Sequence, residues 1–160
     1  MAGLCFLVIL WQAIAPFAAR AGEKTSGTWP QAYSVEKDDA SGLLTLRTAF
    51  YTVEHDLKRG GAISRISLVH GKAANLLAGP VEARIKAESG AALTDLKDSA
   101  PKIAHRRAGG SEVVSVECVL AGENGETTNI RLKTTYEYRW GYIKIHRELL
   151  LPDGGLRARE

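Results

Sequence analysis

Phe50-Tyr51-Thr52-Val53-Glu54-His55-Asp56-Leu57-Lys58-Arg59-Gly60-Gly61-Ala62-Ile63-Ser64-Arg65-Ile66-Ser67-Leu68 is the stretch whose reading decides the fold. Tyr51 and Val53 alternate with the polar Thr52 and Glu54. Beyond the centre, Ile63, Arg65, Ser67 and Val69 alternate with Ala62, Ser64, Ile66 and Leu68, so this segment carries apolar residues on both faces. β-branched and aromatic residues at a period of two fit a pleated, half-buried ribbon. The glycine pair between the two runs tolerates positive φ and lets the chain reverse at little cost. The stretch therefore predicts a β-hairpin.

The last third of the chain repeats the pattern three times. Val114, Val116, Cys118 and Leu120 share a face, as do Ile130, Leu132, Thr134, Tyr136 and Tyr138, and then Ile143, Ile145, Leu149 and Leu151. A two-residue loop at Trp140-Gly141 pairs Arg139 with Tyr142. It then sets Tyr136 against Ile145 and Leu132 against Leu149 on one face. On the other face it sets Glu137 against Lys144 and Lys133 against Glu148. One register satisfies both faces, as a hairpin requires. At Asn124-Gly125 a symmetric two-residue turn would bring Glu117 to Leu132, on the wrong face. One more loop residue aligns Cys118 with Leu132 and Glu117 with Lys133, which predicts a three-residue loop with a bulge. The outcome is an antiparallel meander over 112–121, 127–139 and 142–151.

Residues 43–47 read as a strand, with a shorter one near 33–36. Residues 81–87 alternate as a strand with one wet face. Residues 91–97 read as a helical turn or an irregular loop, and Gly109-Gly110 as a reversal. Nothing alternates strands with long helices, so a parallel α/β sheet is not expected. The expected class is all-β, an antiparallel β-sandwich.

The 160 residues, 45% hydrophobic and 24% charged, suit one globular domain rather than a disordered chain. A formal net charge of +3, with no basic cluster longer than His105-Arg106-Arg107, argues against a nucleic-acid partner. Residues 4–15 form an apolar run broken only by Gln12, followed by Ala19-Arg20-Ala21. This reads as a secretory signal peptide over 1–21, with a mature start near Gly22 and a secreted or periplasmic destination. The run is too short to span a bilayer comfortably, so no stable membrane span is expected. The alternative is an uncleaved anchor. An N-terminal arm over 22–42 then leads into a β-sandwich domain over 43–160. Without the leader one cysteine remains, Cys118, and its spacing to Val116 and Leu120 marks it as a small buried hydrophobe.

No phosphate-binding loop, nucleophile elbow or zinc motif is present. His55, His70, His105 and His146 are too scattered for metal-ligand spacing, and no cofactor is expected. Arg147 is the anomaly: the register places it on the apolar face between Ile145 and Leu149, opposite Thr134, where a buried guanidinium needs acceptors. It is expected to be partly buried and hydrogen-bonded. Sugars are held by planar charged groups and by aromatic platforms that meet their C–H faces. Arg147, the loop residue Trp140 and the neighbouring His146 are therefore the candidate carbohydrate-binding residues. The plainer reading of His146 is an exposed strand histidine opposite Thr135.

A strand, then Arg59-Gly60-Gly61-Ala62-Ile63, a second strand, a turn at His70-Gly71-Lys72, and Asn75-Leu76-Leu77 together resemble the opening of galactose-mutarotase-like domains. These are large β-sandwiches of aldose epimerases and polysaccharide-degrading enzymes. The resemblance covers residues 43–77 and implies the N-terminal part of such a domain. The family opens sugar rings with a carboxylate base and histidine acids. Its catalytic glutamate comes late in the domain, past the last residue here, so no catalytic residue carries over and the chain is not expected to be catalytic by itself. The resemblance implies a carbohydrate-binding segment associated with polysaccharide processing. The alternative is a non-catalytic extracytoplasmic sandwich with a structural or protein-binding role. The turn signal Pro152-Asp153-Gly154-Gly155, followed by a new alternation at Leu156, predicts a domain incomplete at its C-terminus. It also predicts an exposed apolar edge near 142–151, with the remainder of the domain as a further partner.

Overall fold

A computed structural model describes residues 33–87 and 90–152. The expected leader 1–21, residues 22–32 of the arm and the turn beyond Pro152 lie outside the described residues. The described chain is all-β, with ten strands and one short 3-10 turn. In order they are β1 (Ser34–Asp38), β2 (Leu43–Arg47), β3 (Tyr51–Asp56), β4 (Ala62–Leu68), β5 (Arg84–Lys86) and β6 (Ala92–Thr94). The 3-10 turn Asp95–Lys97 follows, then β7 (Lys102–Ala108), β8 (Ser111–Gly122), β9 (Thr127–Tyr138) and β10 (Ile143–Leu150). Among the described residues no helix is long and apolar enough to cross a membrane.

The first sheet is an antiparallel meander, β1-β2-β3-β4. Its last two strands are the predicted hairpin of β3 and β4. Gly60 and Gly61 take φ of +65° and +63°, and the Gly61 N–H returns to the Asp56 carbonyl at 2.9 Å. The register shifts by one residue between Glu54, opposite Arg65, and His55, opposite Ile63. Ser64 is the extra residue. Because side chains alternate with a period of two, one added residue brings Ile63 and Ile66 to the same face. That bulge explains why β4 carries apolar residues on both faces of an unbroken alternation. The edge of β4 is capped by Asn75, whose Oδ1 accepts from the Ile66 N–H at 3.1 Å and the Leu77 N–H at 3.0 Å.

The second sheet runs β10-β9-β8-β6-β5, with β7 also on β8. β8 is long enough to take two partners end to end: β7 along residues 111–117, and β6 at Ala121 and Gly122. The β9–β10 register is the predicted one, with Tyr136 opposite Ile145, Arg147 opposite Thr134 and Leu149 opposite Leu132. The Arg139 N–H closes the two-residue loop on the Tyr142 carbonyl at 3.0 Å. Cys118 faces Leu132 and Glu117 faces Lys133, also as predicted. The Gly122 N–H bonds to the Glu126 carbonyl at 2.7 Å around Glu123-Asn124-Gly125, and Gly125 takes a φ of +82°. This is the three-residue loop. A separate irregularity follows, where β8 steps back from Ala121 to Val119 while β9 advances from Thr127 to Arg131. The extra length is even, so the faces keep their sense.

Of the two predicted charge pairs, Lys133 and Glu148 meet at 3.9 Å. Glu137 lies opposite Lys144 but bonds to Arg139 at 2.6 Å and to Ser111 Oγ at 3.2 Å. Residues 81–87 do not form the full predicted strand; only Arg84–Lys86 does. The Val81 N–H goes instead to the Ile63 carbonyl at 2.8 Å and the Ala83 N–H to Asp95 Oδ1 at 3.0 Å, outside any ladder.

Side chains of both sheets meet in one core: Leu44, Leu46, Tyr51, Val53 and Ile63 from the first, Val114, Val116, Tyr136 and Tyr138 from the second. A second cluster holds Ala83, Leu93, Cys118, Leu120, Ile130 and Leu132. Burying each such Val or Leu side chain stabilises the fold by about 1.5–3 kcal/mol. Cys118 behaves as expected: it is buried, and burial pushes its thiol up to about 12, which keeps it protonated and inert. On β10 Ile143 packs partly buried against the core, but Ile145 and Leu149 are not covered. Tyr142, Ile145, Leu149 and Leu151 are all exposed, as predicted for residues 142–151.

Candidate functional site

The β9–β10 loop projects Trp140 and Tyr142 at one end of the second sheet. Beside them the link between β2 and β3 is shaped by Thr48, whose Oγ1 accepts from the N–H groups of Phe50 at 3.1 Å and Tyr51 at 2.9 Å. That turn places Phe50 at the surface while Tyr51 points inward. The Tyr51 hydroxyl donates to the Arg139 carbonyl at 2.5 Å and ties the two ends together. Burial pushes this phenol up, so it stays protonated as a donor. The result is a groove of about 470 Å³ between the sheets, lined by Phe50, Tyr51, Ile66 and Leu68 on one side and by Trp140, Gly141, Tyr142 and Ile143 on the other. Trp140 and Tyr142 are each 54% exposed and Phe50 38%. Aromatic faces of this kind suit an apolar or C–H-rich ligand surface.

The three candidate residues are not brought together. Trp140 lines the groove. His146 lies on the opposite face of β10, opposite Thr135, with its Nε2 3.2 Å from Glu148 Oε1. Arg147 corrects an expectation. It sits on the predicted face but is exposed rather than partly buried, because on that face of β10 only Ile143 packs against the core, and Ile145, Arg147 and Leu149 stay open. Its Nη2 donates to the Val81 carbonyl at 3.4 Å and it hydrogen-bonds the Tyr136 side chain. Its guanidinium also pulls down the Asp95 carboxyl, which burial pushes up more strongly.

Several polar side chains were not singled out from the sequence. Asp95, 2% exposed, bonds to the Ala83 N–H, and Asp98 Oδ2 accepts from the Val119 N–H at 2.8 Å. The only signal for them was Asp-x-x-Asp around Leu96. Glu112, 3% exposed, takes Arg107 Nε at 2.7 Å and His105 Nε2 at 2.5 Å. The Arg107 guanidinium lies 6.0 Å from the centre of the Tyr33 ring. His55 is wholly buried, its Nδ1 on the Gly61 carbonyl and its Nε2 on the Tyr138 hydroxyl. These groups hold backbone or one another. No group of three or more metal-ligating side chains occurs among the described residues.

No protein-family model, curated protein or solved structure matches this chain.

Proposed function

We propose that this chain is a carbohydrate-binding segment whose two sheets are the leaves of a β-sandwich, resembling the N-terminal part of a galactose-mutarotase-like domain. The observation that carries the reading is the aromatic groove: Phe50, Trp140 and Tyr142 come from two sheets and present partly exposed rings along one trough. Residues 43–77, with Arg59-Gly60-Gly61 and Asn75-Leu76-Leu77, support the family resemblance. The apolar run over 4–15 and Ala19-Arg20-Ala21 support export to the periplasm or beyond. The role is binding or scaffolding within polysaccharide processing, and no side chain is assigned a catalytic step. Of the candidates, Trp140 is kept as the platform, while Arg147 and His146 lie outside the groove. A glycan array with the protein beginning at Gly22 tests the reading: saturable binding that Trp140→Ala removes supports it, and silence across the array refutes it.

One observation favours a second reading, a protein-binding role. Ile145 and Leu149, 40% and 42% exposed, form an apolar strip along the edge strand β10. A silent array together with loss of self-association or partner capture in Ile145→Lys would favour this alternative.

A further inference from the structure

A second cleft lies away from the aromatic groove. It has a volume of about 310 Å³ and is lined by Arg59, Glu82, Arg84, Thr94, Lys97 and Glu123. Its construction explains the glycine pair. Gly60 donates its N–H to the Asp98 carbonyl at 2.6 Å, which docks the β3–β4 turn on the 3-10 turn. A Cβ on Gly60 would lie 2.1 Å from the Asp95 carbonyl oxygen, so only glycine permits this approach. The contact places Arg59, the residue before Gly60, and Lys97, the residue before Asp98, on the lining of the same cleft.

The charges within the cleft are unevenly matched. Arg84 takes both carboxylates, Glu82 at 3.2 Å and Glu123 at 3.2 Å. Glu82 also accepts from Thr94, and this bond is the largest influence holding its carboxyl below the usual range. Arg59 adds to that field but makes no ion pair within 4.0 Å among the described residues, and neither does Lys97. Two cations on separate turns, held by one backbone hydrogen bond, face a solvent-open cleft whose acids are already engaged. A planar fork and a point ammonium suit a carboxylate. Glu82 and Glu123 retain acceptor capacity for neighbouring hydroxyls.

We propose that this cleft binds an acidic sugar, with its carboxylate on Arg59 and Lys97 and its hydroxyls toward Glu82 and Glu123. This rests on the carbohydrate reading above and names a substrate class for it, sugars bearing a uronic acid. The test is an NMR titration of the full chain with D-glucuronate, D-glucose, acetate and inorganic sulfate, following the backbone amides of residues 59 and 97 and the Trp140 indole. Glucuronate is expected to move the amides at 59 and 97 at concentrations where acetate, sulfate and glucose do not. Arg59→Gln with Lys97→Gln should weaken that response at least ten-fold while the folded spectrum is kept. Equal responses to acetate or sulfate would overturn the proposal, leaving a bare anion patch. Silence at 59 and 97 would overturn it as well. In that case a neutral oligosaccharide that still moves the Trp140 indole would leave the groove reading intact, and silence there too would remove both.

Discussion

Tyr138 donates its hydroxyl to the buried Nε2 of His55 across 2.5 Å, joining β9 of the second sheet to β3 of the first. The other ring nitrogen, Nδ1, bonds to the Gly61 carbonyl at 2.8 Å, so the neutral imidazole donates on one side and accepts on the other. The Tyr136 ring meets His55 edge-on, with centroids 4.8 Å apart. Removing the hydroxyl would leave Nε2 buried without a partner. Tyr138→Phe should therefore destabilise the protein by about 1–3 kcal/mol, read as a lower urea midpoint at unchanged slope.

The same pair sets an acid limit. Burial outweighs the Gly61 hydrogen bond and pushes His55 from 6.5 down to about 4. A neutral histidine in the folded state binds fewer protons than the unfolded chain between these values. Its contribution is fully present above pH 6.5 and is lost as pH falls toward 4, by about 3 kcal/mol in all. Urea titrations at steps between pH 7.5 and 4 should show that loss, and His55→Gln should flatten it.

Gly60 and Gly109 both adopt positive φ, at +65° and +55°. A Cβ at Gly109 meets nothing within 4 Å, whereas at Gly60 it strikes the Asp95 backbone. Gly109→Ala should cost only the backbone penalty, about 1–2 kcal/mol. Gly60→Ala should cost clearly more and should separate the 3-10 turn from the hairpin. Parallel thermal melts and amide exchange at Asp98 measure both effects.

The β9–β10 hairpin was legible because one register suits both of its faces. Cys118 opposite Leu132 and Tyr136 opposite Ile145 follow from period-two patterning alone. The bulge at Ser64 was hidden, because an added residue in an unbroken alternation looks like a strand with two apolar faces. β7 carries no clear period-two signal in the sequence. His105 and Arg107 are polar, and Arg107 finds its partner in Glu112 only through the fold. For the candidate site, Trp140 was visible as a loop aromatic, but Phe50 joins it only once the two sheets pack. Alternation put Arg147 on the right face, yet sequence could not show that this face is open there.

Arg147 is exposed and its contact with the Val81 carbonyl is long, at 3.4 Å. Arg147→Met also removes the hydrogen bond to the buried Tyr136 side chain, so it is expected to destabilise the protein by about 1–3 kcal/mol and to leave carbohydrate binding unchanged. Chemical denaturation and the glycan array applied to one protein sample check both.

The most direct test of the central claim follows the Trp140 indole N–H by NMR while neutral and acidic oligosaccharides are titrated into the protein, with Trp140→Ala to assign the peak. The groove reading predicts a saturable shift of that peak, together with the amides of Phe50 and Tyr142, for at least one sugar. If no sugar moves those resonances while the spectrum stays folded, the groove is not a carbohydrate site.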